Sequence, residues 1–240
     1  MTTPTFLQGP VVFSLKIADI VEDVWPILHD CLPPDERCRA DAFHHGADRQ
    51  SFIAAHALLR LSLIRILGPH PAAFVANAYG KPCFAADHPC ADIGFNISHS
   101  RGMVAVGIAR GAAIGVDTEP LDRLDQRDMA AITRWLSPVE QSRVAACGEA
   151  ERAACLLDLW TLKEAVIKAT GQGLSLELAS FSIDPDRLSV TGLAGTWQLA
   201  RWIHDAHRIA GAVCGTALSL NHSRVVICQK AAGLEVIVKS

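Results

Sequence analysis

The sequence holds no long run of one charge sign, no CxxC pair and no linker rich in glycine, serine or proline. Each absence narrows the function. Twenty-two lysines and arginines stand against 25 aspartates and glutamates, a net charge of −3. A chain balanced in this way lacks the electrostatic footprint of a polyanion binder. Nucleic acid is therefore set aside as a partner, while a small local basic patch for phosphates stays open. The eight cysteines are Cys31, Cys38, Cys83, Cys90, Cys147, Cys155, Cys214 and Cys228, and no Cys/His cluster has zinc spacing. They read as reduced thiols of a cytoplasmic protein rather than a disulfide framework. The N-terminus has no basic stretch followed by an apolar run and a cleavage site, so no signal peptide is expected. The most apolar helical stretch, around Leu58 to Leu67, is broken by Arg60 and Arg65 and reads as too short to cross a bilayer; no membrane partner is expected.

What is present is a chain of 240 residues, half of them hydrophobic, enough for a sizeable core in one large domain or two small ones. Asp19 is placed to cap a helix carrying Ile20, Val21, Val24, Trp25 and Leu28, with Pro33-Pro34 as its stop. Asp48 opens a second amphipathic helix through Leu67, ended by Gly68-Pro69. The pattern then turns to strands over 93–98 and 103–109, joined by a four-residue turn at 99–102, and over 113–118, closed by Pro120. Ser137-Pro138-Val139-Glu140 is a capping box, and 149–170 reads as a long helix ended by Gly171. Further strands are expected at 181–183, 196–202, 209–218 and 224–229. Helices then strands, followed again by helix and strands, predict an α+β fold in two halves, 1–112 and 113–240, that pack closely.

Four segments carry chemistry. In Gly115-Val116-Asp117-Thr118-Glu119, side chains two apart on a strand share a face, so Asp117 and Glu119 point the same way. Paired carboxylates repel unless a cation lies between them, and a hard ion such as Mg²⁺ takes oxygen ligands and bridges carboxylates to phosphates. Taken alone, the same pair also reads as a solvated strand end. In the helix through Trp160-Thr161-Leu162-Lys163-Glu164-Ala165-Val166-Ile167-Lys168, Glu164 and Lys168 lie four apart on one face of a largely apolar helix. Buried charge is expensive unless paired or metal-bound, so this pair reads as a third carboxylate with an ammonium for phosphate; a surface pair is the alternative. Phe95-Asn96-Ile97-Ser98-His99-Ser100 places Ser98 and His99 at a strand end, where both can donate to an anionic oxygen. Tyr79-Gly80-Lys81-Pro82 offers close backbone approach and a point charge, or simply a turn with an exposed lysine.

In their order along the chain, YGKP, FNISHS, GVDTE and WTLKEAVIKATGQGLSL resemble the 4′-phosphopantetheinyl transferases of the Sfp type. The motifs run from Tyr79 to Leu176. His56-Ala57-Leu58-Leu59-Arg60 and Phe181-Ser182-Ile183 are also similar, so the resemblance covers most of the chain. It implies two α+β halves related by pseudo-twofold symmetry, with coenzyme A between them. It also implies Mg²⁺-dependent transfer of the phosphopantetheine arm to a serine of an apo acyl or peptidyl carrier protein, with release of 3′,5′-ADP. Carried over residue by residue, Asp117, Glu119 and Glu164 are the metal ligands, and Lys168 and Lys163 hold the pyrophosphate. Lys81, Ser98 and His99 contact the adenosine 3′-phosphate or its surroundings, while Gly80 and Pro82 shape the adenine pocket. Two N-terminal positions that are basic in some relatives are Glu36 and Arg39 here; Arg39 carries over, and Arg37, Arg49 or His56 would have to complete the contact.

The same resemblance casts Glu164 as the group that takes the carrier serine's proton, directly or through a bound water, and Lys168 as the stabiliser of the leaving phosphate. Arg123, Arg127, Arg134 and Trp135 are the expected docking rim for an acidic carrier. One chain holds both halves, so a monomer suffices. Two other readings stay open: a Mg²⁺-dependent hydrolase of coenzyme A that needs no carrier, and a non-catalytic module that binds coenzyme A or a carrier.

Overall fold

A short apolar run after Pro10 forms β1 (Val11–Lys16), a strand that hydropathy patterning does not anticipate because both of its faces are buried and nothing alternates. The computed structural model describes residues 9–68, 73–216, 218–230 and 233–239. Three helices follow, α1 (Trp25–Asp30), α2 (Pro34–Asp41) and α3 (Gly46–Leu67). Asp19 caps nothing; it lies in a 3₁₀ turn, and α1 starts later because Pro26 is tolerated only in a first helical turn. Gly68 ends α3 at φ +84°; Pro69 lies outside the described residues. With 22 residues, α3 is longer than expected and by length and composition could cross a membrane. It is instead a core helix, its Phe52, Leu58, Leu59 and Leu63 packed against a sheet.

The remaining elements are β2 (Val75–Ala76), β3 (Pro82–Cys83), β4 (Ile93–Ser100), β5 (Met103–Arg110), β6 (Ala113–Pro120), α4 (Gln126–Thr133), α5 (Pro138–Ala146), α6 (Glu149–Thr170), β7 (Ser182–Asp184), β8 (Ser189–Thr191), β9 (Trp197–His204), β10 (His207–Cys214), β11 (Asn221–Lys230) and β12 (Gly233–Val238). Helices and strands mix as expected for an α+β chain. One sheet runs β12-β11-β1-β5-β4 and a second β6-β10-β9. Helix α3 covers the first sheet and α6 the second. Between the sheets lies a third apolar layer of Val12, Ala105, Ala109, Ile114, Val116, Ile209 and Val213. The last hairpin crosses the 112/113 division: β11 pairs in parallel with β1, joining the chain's end to its first strand.

Two features of this frame set the site. The β4–β5 hairpin is tighter than the expected four-residue turn, because His99 and Ser100 pair with Val104 and Met103, leaving Arg101 and Gly102 as the loop. Helix α6 rests directly on β6. A Cβ built on Gly115 would come within 2.0 Å of the Ala165 carbonyl oxygen and 2.3 Å of the Ala169 nitrogen. Asp158 pins the same helix through ion pairs of 2.5 Å to Arg201 and to Arg208.

Candidate active site

The chain of contacts begins with β6. Val116 and Thr118 turn inward and are buried, so Asp117 and Glu119 share the opposite face, as strand alternation requires. Asp117 is 4% exposed. Its Oδ1 accepts hydrogen bonds from Ser98 Oγ at 3.0 Å and from Lys168 Nζ at 2.6 Å, and Lys168 Nζ also reaches Ser98 Oγ at 3.1 Å. Three motifs that are distant in sequence therefore meet at one oxygen. The other oxygen, Oδ2, is buried without a hydrogen-bond partner.

Burial and the neighbouring Asp117 charge push the Glu119 carboxyl up to about 7, partly offset by Arg123, the Trp160 indole and Lys168. Arg123 forms an ion pair with Glu119 and lies over the Trp160 ring at 5.9 Å. Burial likewise raises the Glu164 pKa against the pull of Lys168, and Asp117 adds to the rise. Asp117 acts on both Glu119 and Glu164, and the three carboxylates with one bare, buried oxygen are of the donor type that suits a hard divalent cation. Among the described residues they are not drawn together into a preformed cage. Lys168 and Arg123 supply the positive charge between them.

Lys163 is a correction to the pyrophosphate set. It is fully buried on the far side of α6, paired with Glu140 at 2.9 Å, donating to the Phe181 carbonyl at 2.7 Å and lying over the Phe181 ring. Burial lowers its pKa against the pull of Glu140. One residue along a helix turns a side chain by about 100°, so the neighbour of Glu164 cannot share its direction. Lys163→Ala would strand the buried Glu140 charge at a cost of about 3–5 kcal/mol. The expected result is a melting temperature lower by about 10 °C. An unchanged melting curve with a raised KM for coenzyme A would return Lys163 to the ligand site.

Lys81 is likewise engaged elsewhere. Its Nζ donates to the Ile114 carbonyl of β6 at 2.9 Å and to the Lys168 and Ala169 carbonyls at 2.6 and 3.3 Å, the last two at the C-terminal end of α6. Burial brings its pKa down to about 8. Gly80, at φ +86°, lies in the turn before β3 and Pro82 opens that strand; both are exposed. His99 is exposed at the end of β4, its pKa lowered by close packing and by Lys168. Arg39 is exposed over the Phe52 ring, which stacks on His56. Glu36, at a position that is basic in some Sfp-type proteins, is a buried anion held by His56 at 3.0 Å and by both arms of Arg60. Arg37 is committed to the Asp30 and Leu32 carbonyls and Arg49 to Asp41. Of the expected rim, Arg127, Arg134 and Trp135 are exposed and Arg123 turns inward.

Three residues escape sequence reasoning. Asn96 Oδ1 accepts from the Val116 amide at 2.9 Å, stitching β4 to β6 where no sheet pairing joins them. Asn77 orders the 77–81 turn through the amides of Tyr79 and Lys81 and donates to the Gly171 carbonyl. Gly115 lets α6 approach. An asparagine carries no signal of such a role; the glycine beside an acidic pair on a strand does.

The family model described as the 4′-phosphopantetheinyl transferase superfamily matches residues 113–217. The chain is 32% identical over 148 residues to the 4′-phosphopantetheinyl transferase AcpT of Salmonella typhimurium, covering 61% of this chain and 71% of that one. The chain belongs to the 4′-phosphopantetheinyl transferase superfamily. Other members show the same likeness. The 4′-phosphopantetheinyl transferase HetI of Nostoc is 29% identical over 188 residues, 77% of this chain and 79% of that one. The 4′-phosphopantetheinyl transferase Sfp of Bacillus subtilis is 32% identical over 154 residues, 63% of this chain and 66% of that one, so the match spans just under two thirds of the Sfp length. The model's span contains β6 and α6, and hence Asp117, Glu119, Glu164 and Lys168.

Proposed function

We propose that this phosphopantetheinyl transferase superfamily member moves the phosphopantetheine arm of coenzyme A onto a serine of an apo acyl or peptidyl carrier protein and releases 3′,5′-ADP. The observation that carries this is the convergence of Ser98, Asp117 and Lys168 on one buried carboxylate oxygen, beside the paired acids of β6. Mg²⁺, held by Asp117, Glu119 and Glu164, would neutralise the pyrophosphate and make its phosphorus more electrophilic. Lys168, partly exposed beside Asp117, is placed to stabilise charge on the departing phosphate. Glu164 would accept the serine proton, directly or through a bound water; burial raises its pKa, which makes it a stronger base than an exposed glutamate. The pyrophosphate bond to the 3′,5′-ADP portion breaks as the serine oxygen bonds to the β-phosphorus, and the proton leaves the serine.

The adenine end is assigned to the exposed Gly80–Pro82 segment and the 3′-phosphate to His99 and Arg39, with His56 completing the contact; Ser98 and Lys81 would act there by positioning. The two long helices, each on its own sheet, support the two-half reading with the site at the seam. One chain contributes every residue of the site, which favours a monomer, and the cytoplasm is where coenzyme A and carriers meet. Intact-mass measurement of an apo carrier after incubation with coenzyme A and Mg²⁺ tests the reading. Free 3′,5′-ADP without modified carrier would replace it with hydrolysis.

A further inference from the structure

Arg123 stands apart from the other charged groups of the site. It belongs to the turn after β6, where its amide bonds to the Pro120 carbonyl, and not to a helix or strand. Its guanidinium pairs with the Glu119 carboxylate, lies over the face of Trp160 and is close enough to Glu164 to pull that carboxyl's pKa down. About one third of its side chain is exposed, at the edge of an open cavity of about 400 Å³ bounded by the β4–β5 turn and the 119–123 segment. Lys168 is anchored on α6 by comparison and is shared between Asp117 and Ser98.

Each acid of β6 therefore has its own resident cation, and the two cations differ in how firmly they are held. A guanidinium keeps its charge at any physiological pH and offers a planar fork that matches a carboxylate. The Trp160 ring adds a cation–π contact. A divalent ion that takes Glu119 as a ligand needs the same carboxylate oxygens. Two cations crowded at one carboxylate repel, so metal entry requires Arg123 to leave.

We infer that Arg123 is a tethered competitor for the divalent cation at Glu119, so that metal and coenzyme A bind cooperatively. The inference rests on the metal assignment made above. The freed guanidinium has a new partner in the cavity once an anionic pyrophosphate is there, because Arg recognises phosphate oxygens as readily as carboxylate. Coenzyme A thus draws Arg123 off Glu119 and tightens metal binding, and by linkage the metal tightens coenzyme A by the same factor.

The test is Mn²⁺ binding followed by electron paramagnetic resonance, with and without coenzyme A, on the full chain and on Arg123→Gln and Arg123→Lys. Mn²⁺ alone should bind Arg123→Gln up to about fivefold more tightly than wild type, the effect of removing one partly exposed ion pair. Added coenzyme A should tighten Mn²⁺ binding strongly in wild type and weakly in Arg123→Gln, with Arg123→Lys between the two because it keeps the charge and loses the planar fork. A melting curve establishes that each variant is folded. Equal or weaker Mn²⁺ binding by folded Arg123→Gln overturns the competition, as does wild type that transfers the arm without binding Mn²⁺. Loss of carrier modification in wild type, with the Arg123 effect on Mn²⁺ intact, sinks the transferase reading alone.

Discussion

Asp117→Asn leaves a folded protein whose transfer rate falls about a hundred- to a thousandfold. The substitution keeps size and shape. Ser98 and Lys168 can still donate to the remaining carbonyl oxygen, so the seam between β4, β6 and α6 stays closed. What disappears is the negative charge and the free carboxylate oxygen, now replaced by an amide nitrogen with nothing to donate to. That cost, about 1–3 kcal/mol for an unpaired buried polar group, is opposed by relief of repulsion with Glu119 and Glu164. Stability therefore changes little, while electrostatic stabilisation of the reacting phosphates, worth two to three orders of magnitude in rate, is lost. Steady-state kinetics beside a melting curve separates the two. A variant within threefold of wild-type turnover would show that Asp117 is a structural acid and that the site lies elsewhere.

Gly115→Ala lowers both activity and stability, although the residue touches no substrate. The added methyl would overlap the backbone of α6 at Ala165 and Ala169, and backbone cannot swing aside as a side chain can. The helix must retreat by about 1 Å, carrying Glu164 and Lys168 away from Asp117. Misplacement on that scale costs about a hundredfold in rate, and forcing a packed interface apart costs about 1–3 kcal/mol. Hydrogen exchange at the α6 amides should rise together with the loss of rate. Normal kinetics and an unmoved melting temperature would mean that α6 adjusts freely and that its contact with β6 does not set the site.

The α+β class was legible in the sequence, and so were the faces on which the candidate residues lie. Asp117, Glu119, Glu164 and Lys168 came from two periodicities, two residues along a strand and four along a helix, and these survive any tertiary context that keeps strand and helix. The capping box at Ser137 and Glu140 formed as read, because such a cap is local. Strand β1 is not legible in the same way: its pattern is set by two buried faces and by partners β5 and β11, more than 85 residues away in the chain. Lys163 and Lys81 were misassigned for a related reason. A lysine beside a motif looks like a phosphate ligand in sequence, yet Glu140 buries the one and the end of α6 takes the other. Neither partner can be found from the lysine's own neighbours. The same holds for Glu36, whose role as anchor for His56 and Arg60 depends on how α2 packs against α3.

The central claim is that the acids of β6 and the charged pair of α6 form one metal-dependent transfer site. Weighing an apo carrier protein intact, after incubation with this protein, coenzyme A and Mg²⁺, with EDTA in a parallel sample, tests it most directly. The account predicts a gain of one phosphopantetheine arm on a carrier serine, abolished by EDTA. An unmodified carrier in both samples, across several carriers and with coenzyme A firmly bound, would contradict it and leave a binding module in its place.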